Sequence, residues 1–358
     1  MNTESRLPSR ATLTSIGLIT LLGCVSSASA QDAKPVAPTA AHSYHVLRTF
    51  DVGGDGGWDY LTMDSDSHRL FVSRSTHVMV IDTETGKVVG DIPDTDGVHG
   101  IALAHEFNRG YTSNGRAGTA TIFDLKTLAV IGTVKTGQNP DAILYDPATK
   151  RVFTFNGASK DATAIDAATG KVSGTVPLEG KPESGASDGR GHVFVNLEDR
   201  SEVVSLDPKE LKVNAHWSLE PGRQPSGMAI DLKNHRLFVG CGGSQTMAVV
   251  DTDSGKVLTT LPTGKGVDAN GFDPGTACAF SSNGDGTLTV VHEDDPSKFT
   301  VLENATTAPR AKTMALDPKT HLIYLGAAKY EPAGKDTGGR RARPKMIAGS
   351  FQILVVGT

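Results

Sequence analysis

The chain has 358 residues, 40 of them glycine, with 21% charged residues and a formal net charge of −5. So small and acidic a balance excludes nucleic-acid binding over a broad basic surface, while leaving room for a local basic patch. The length fits one large β domain as well as two small ones, and no long stretch repeats apolar residues at helical spacing.

Residues 1–30 read as an export signal: Arg6 and Arg10 precede the short apolar run Ile16–Val25, and Ala28-Ser29-Ala30 is a small-residue cleavage site before Gln31. The run is shorter than the roughly 20 residues a membrane-spanning helix needs. The expected location is periplasmic or secreted. Leu21-Leu22-Gly23-Cys24 also resembles a lipoprotein box, and the alternative is a lipid anchor on Cys24. Residues 31–43 are rich in alanine and proline and are expected to form a disordered leader. Without residues 1–30, which hold Glu4, Arg6 and Arg10, the net charge is −6.

From residue 44 onward the chain repeats itself. Val78–Gly90, VMVIDTETGKVVG, reads as strand, turn and strand, and its Asp82 is matched by Asp124, Asp166, Asp207, Asp251 and, degenerately, His292. The steps are 42, 42, 41, 44 and 41 residues. A strand-rich unit with a period in the low forties predicts a β-propeller. Each unit supplies an inner strand (Gly100–Ala104, Ala142–Tyr145), a second strand such as RLFVS at 69–73 or RVFTF at 151–155, and then the hairpin. The chain stops after SFQILVVG at 350–357, where a third strand would turn, and the outer strand it lacks resembles HVLRTFD at 45–51. Seven blades are therefore expected, the last closed by the two chain ends, because pairing them removes two exposed edges. Cys241 and Cys278 fall about a strand length apart in the repeat, too far for a disulfide, and are expected as free thiols.

In such a ring the loops entering the inner strands and those leaving the second strands share one face. Just before the inner strands stand Asp59, His99, Asp141, Glu183, Ser226, Asp268 and Lys312, with Trp58 beside the first. Leaving second strands are Asn114, Asn156 and Asn196. Converging carboxylates repel, so such a funnel calls for a cation, a cationic ligand or raised pKa values. One reading is an oxygen-rich metal site of Asp59, Glu183, Asp268, Asn114, Asn156 and Asn196 for a divalent ion such as calcium, with His99 moving a proton. The other is that these residues cap loops and hold channel water. The seventh unit carries an insertion, Lys329–Met346, in which Arg340, Arg341 and Arg343 form a basic cluster suited to a lid or an anionic ligand. No HExxH, P-loop or CxxC motif occurs.

The motifs GQNPDAILYDPATKRVFTFN at 137–156 and GRQPSGMAIDLKNHRLFVG at 222–240, with the recurrent (T/S)GKV turn, resemble the YVTN-repeat propellers, especially exported YncE-like bacterial proteins. The resemblance covers about residues 44–358. It implies a seven-bladed all-β propeller and, from YncE-like members, possible single-stranded DNA binding. Lactone hydrolases are related propellers, but none of their motifs is present here. The leading expectation is a monomeric exported propeller that binds a small-molecule or protein ligand at its funnel face without chemistry of its own. The alternatives are a metal-assisted hydrolase such as a lactonase, and a binder of single-stranded DNA through Lys312, the insertion's arginines and Trp58.

Overall fold

A computed structural model describes residues 43–332 and 344–358. Its strands form seven four-stranded antiparallel sheets, each in simple up-and-down order. The inner strands are Leu61–Asp64, Val98–Ala104, Pro140–Asp146, Pro182–Ser187, Pro225–Asp231, Val267–Asp273 and Met314–Asp317, in blades one to seven. Second and third strands, such as Arg69–Arg74 and His77–Asp82, are buried on both faces because each blade is sandwiched between two others. That is why they read as continuous apolar and small polar runs. Outer strands such as Lys212–Ser218 alternate exposed and half-buried residues.

Seven apolar clusters hold the ring, and each lies between two adjacent blades. Phe71, Val78 and Val80 of blade one pack with Ile101 and Phe123 of blade two, the two phenylalanine rings 5.9 Å apart. Phe153 and Phe155 of blade three meet Val193 and Val195 of blade four. The seventh cluster joins Leu61, Leu70 and Val72 of blade one to Tyr324, Ile353 and Val355 of blade seven. No blade has a core of its own, so each is stable only between its neighbours.

The two ends seal the ring as the sequence predicts. His45–Asp51 pairs antiparallel with Gln352–Gly357, from His45 opposite Gly357 to Asp51 opposite Gln352, and becomes the outer strand of blade seven. Glu303 of blade six anchors this segment, accepting from the Tyr44 amide at 2.7 Å and the Ser43 hydroxyl at 2.9 Å.

The repeated aspartate is a turn device. Asp82, Asp166 and Asp251 each accept the backbone N–H three residues on, at 2.7, 2.7 and 2.9 Å. The next residue adopts positive φ, for which Gly86, Gly170 and Gly255 carry no steric penalty. Leu128 and Leu211 take the same place in blades two and four. Their side chains are tucked over Gly90 and Gly174, where an added Cβ would lie 2.1 and 2.6 Å from the leucine methyls. Packing against the preceding blade offsets the strain. His292, expected as a strand end, lies instead inside Thr287–Asp295, whose hairpin with Lys298–Thr306 closes by pairing Asp295 with Lys298. Cys241 and Cys278 are buried free thiols, as expected.

If the terminal pairing holds the ring shut, a chain beginning at residue 53 should melt on the order of ten degrees below one beginning at residue 43, and should aggregate through the bare Gln352–Gly357 edge. Thermal unfolding and light scattering measure both; equal melting temperatures would show that six blades and a three-stranded seventh suffice.

Candidate functional site

Ladder irregularities set the site. In blades two to six the register between inner and second strands slips between Val98 and Ile101, Pro140 and Ile143, Pro182 and Gly185, Pro225 and Met228, and Val267 and Ala269. The residues within these slips include His99, Asp141, Glu183, Ser226 and Asp268. A bulge breaks the two-residue alternation and re-aims a side chain, here toward the channel mouth. Hydrogen bonds between blades then fix the backbone at these positions. Ser113 of blade two donates to the Asp141 carbonyl, and Ser184 and Asn196 of blade four to the Ser226 carbonyl. Ser226 in turn donates to the Asp268 carbonyl at 3.0 Å, and Ser282 of blade six to the Lys312 carbonyl at 2.6 Å.

The mouth is thus an uneven ring of charges. His99 Nδ1 lies 2.6 Å from Asp59 Oδ2 and 3.8 Å from Asp141 Oδ1. Lys312 Nζ pairs with Asp268 at 2.9 Å, and Lys181 Nζ with Glu183 at 3.2 Å as well as with Glu198. The Lys181–Glu183 contact is an ion pair outside hydrogen-bond geometry, and Glu183 Oε2 is buried with no hydrogen-bond partner. Burial pushes the Asp141 carboxyl up to about 6, with His99 opposing and Asp59 reinforcing the rise. Burial and then the charge of Asp141 push Glu183 up to about 7. Asp268 is also raised by burial, against the pull of Lys312. Burial alone would lower His99, but the Asp59 contact and the charges of Asp141 and Asp59 raise it overall. The ring therefore shares protons near neutral pH.

Two residues of this mouth lie outside the sequence reading. Tyr60 starts in blade one yet packs against the cluster of blades three and four, so its side chain reaches across the ring. Burial and the charges of Asp141 and Glu183 push its phenol well above the usual value, keeping it neutral. Lys181 stands two residues before a predicted carboxylate, and that proximity was the signal for it. The expected asparagines do not join. Asn114 donates to Thr119 and Thr121 at 3.1 and 2.9 Å, and Asn156 to Asp161 and Thr163 at 2.6 and 2.9 Å. Asn196 bridges blade four to the carbonyls of Ser226 and Gly227. All three are fully buried, and their amide nitrogens tie strands and blades together; the Oδ1 atoms of Asn114 and Asn156 accept from Thr112 and Thr154, while Asn196 Oδ1 has no hydrogen-bond partner among the described residues. Glu183 and Asp268, expected in the same set, are matched with lysines instead. Ser226 serves as an inter-blade link. Arg340, Arg341 and Arg343 lie outside the described residues.

What the ring does bring together is Asp59, His99 and Asp141, whose ligand atoms lie within 4.8 Å of one another. Asp59 and His99 line a cavity of about 460 Å³ together with Trp58, Arg116 and Asn139. Trp58, braced by Phe351 at 4.9 Å, separates it from a second cavity toward blade seven. Among the described residues no helix is long and apolar enough to cross a membrane.

No protein-family model and no curated protein matches this chain. Among solved structures it is similar to the WD40 repeats of RRP9, with a TM-score of 0.71 and 13% identity over 90% of this chain and 99% of that one. The structure of U3-55K matches with a TM-score of 0.69 and 13% identity, over 89% and 99%. Likeness at that identity shows the propeller fold and nothing of the site.

The raised carboxyls have a consequence for stability. Asp141 and Glu183 titrate higher in the fold than in the unfolded chain, so ionising them opposes folding, and the penalty disappears as they protonate. His99, also raised, adds stability only while protonated. In a chelator, the melting temperature is expected to rise as pH falls from 8 toward about 5.5, across the values of Glu183 and Asp141. Below that the turn carboxylates Asp82, Asp166 and Asp251, held low, reverse the trend. Asp141→Asn should raise the melting temperature at pH 8 by about 2 °C or more and flatten the slope. A drop at pH 8 would show instead that the ionised carboxylate stabilises the mouth.

Proposed function

We propose that this chain is an exported ligand-binding propeller of the YVTN-repeat kind, and that its funnel captures a divalent metal cation through Asp59, His99 and Asp141. The observation that carries the reading is the three-residue cluster, one ligand atom from each of three successive blades within 4.8 Å. Around it stands more carboxylate than the two lysines balance. A cation supplies what that environment lacks. An imidazole beside two carboxylates suits zinc or manganese better than calcium, which takes six to eight oxygens. The raised His99 must lose its proton to ligate, so binding releases protons and strengthens with pH. The same acidity opposes a polyphosphate strand, and Lys312, proposed to contact one, is already paired with Asp268.

A metal-assisted hydrolase is the second reading, and one observation favours it. His99 Nε2 is directed at the loop after the second strand, where a Cβ on Gly115 would lie 2.7 Å away. Asp59 holds the other nitrogen, so Nε2 is free for proton transfer at the 460 Å³ cavity.

The first reading is tested by titrating the chain from residue 31 with zinc, manganese and calcium by calorimetry at pH 5.5 and 7.5. Zinc or manganese should bind more tightly at pH 7.5, and Asp59→Asn, His99→Ala and Asp141→Asn should each weaken binding about tenfold or more. Saturation unaffected by the three variants would refute it. Turnover of a lactone or ester panel that disappears with His99→Ala would promote the second. Export is tested by fractionating an expressing bacterium and sequencing the mature N-terminus, expected at Gln31. A start at Cys24 would indicate the lipid anchor, and an uncleaved cytoplasmic chain would end both.

A further inference from the structure

The cavity on the far side of Trp58 has a different character from the acidic mouth. It encloses about 490 Å³ and is lined chiefly by Trp58, Arg310, Lys312, Thr313, Tyr330 and Met346. Among the described residues no carboxylate lines it. That volume accommodates a molecule of one or two rings.

Its walls are fixed. The Trp58 indole packs flat on the backbone of the second strand of blade seven, where a Cβ on Gly326 would lie 2.5 Å from Nε1, and it rests on Phe351 behind. Tyr330 forms a backbone bridge with Met346, closing the base of the insertion, and the Arg310 guanidinium stacks over its ring at 4.4 Å. The loop that carries both cations is held by the Arg310 amide on the Gly284 carbonyl at 2.8 Å and by Ser282 on the Lys312 carbonyl at 2.6 Å.

Its polar content points to a ligand. Thr313 is 4% exposed, and its hydroxyl has no hydrogen-bond partner, although it lines the cavity. A buried hydroxyl left without a partner costs free energy unless something supplies one. Arg310 offers a planar fork of donors beside it, and the fork matches a carboxylate or a phosphate. Lys312 adds charge while holding Asp268. Two aromatic side chains and a thioether line the cavity together with a guanidinium, an ammonium and a hydroxyl, a set suited to an amphiphilic anion.

We infer that this pocket binds a small organic anion with an aromatic body, the ring between Trp58 and Tyr330 and the anionic group on Arg310, Lys312 and Thr313. The site is separate from the metal cluster, and its occupancy requires no metal. The chain has two tryptophans, so Trp217→Phe leaves Trp58 as the only indole reporter. In that background, with chelator present, Trp58 fluorescence and calorimetry are followed while benzoate, phenyl phosphate, acetate or benzylamine is added.

Benzoate or phenyl phosphate should bind and change the emission, acetate about tenfold more weakly, and benzylamine not at all; which aromatic anion binds more tightly identifies the head group. Thr313→Val keeps the shape and removes a hydroxyl that bonds to nothing in the protein, so it should leave the melting temperature unchanged and weaken the anion several-fold. Arg310→Ala should weaken it about tenfold or more, and Asp141→Asn should leave it unchanged, which separates this site from the metal site. Benzylamine binding as well as benzoate, or anion affinity indifferent to both Thr313→Val and Arg310→Ala, would overturn the assignment. Absence of any response up to about 10 mM, an affinity weaker than about 3 kcal/mol, would overturn it as well.

Discussion

The constraint on which the rest of the structure depends is that no blade can bury its faces alone. Each apolar cluster is shared by two sheets, and seven clusters close only if the last sheet meets the first. The strand His45–Asp51 makes that meeting possible, since without it blade seven would present Gln352–Gly357 as an open edge. Closure also fixes the distance between non-adjacent blades. Tyr60 can cross from blade one to the cluster of blades three and four only because the ring's diameter is set by the number of sheets.

A closed ring of similar sheets forces one residue per blade toward a common axis, and that residue need not be apolar. Here the positions are filled by aspartate, histidine, aspartate, glutamate, serine, aspartate and lysine. An ordinary core would not tolerate such a set, because the desolvated carboxylates repel. The fold accommodates it through register slips that lift these side chains out of the ladder and through serine and asparagine hydrogen bonds that hold the backbone across blade boundaries. The stability lost to charge is offset by the seven shared cores.

How much of this was legible follows from the physics. The period, the blade count and the terminal closure were readable because turn chemistry is local: Asp82, Asp166 and Asp251 each need a partner three residues on and a glycine after it. The ring positions before the inner strands were readable for the same reason. Which of them face one another was not. Asn114 and Asn156 share the repeat position that suggested ligands, yet their amides close onto threonines of the adjacent strand. Nothing in a single sequence distinguishes an amide turned into the blade from one turned into the channel. The role of Tyr60 depends on reach across the ring, which sequence spacing does not encode, whereas Lys181 acts locally, on Glu183 and Glu198 of its own blade.

The mouth is also divided. On the side of blades one to four, carboxylates exceed cations, and burial raises the Asp141 and Glu183 carboxyls. On the side of blade seven, Arg310 and Lys312 sit with aromatic walls and an unpartnered hydroxyl. Trp58 stands between the two and lines both. An indole is suited to that place, since it excludes water between opposite charges that would otherwise be screened, and offers an apolar face to either side. Lys312 belongs to both halves, its ammonium on Asp268 while its side chain borders the aromatic cavity. An anion entering there competes with Asp268 for that ammonium, and a carboxylate released from its lysine adds negative charge to the ring.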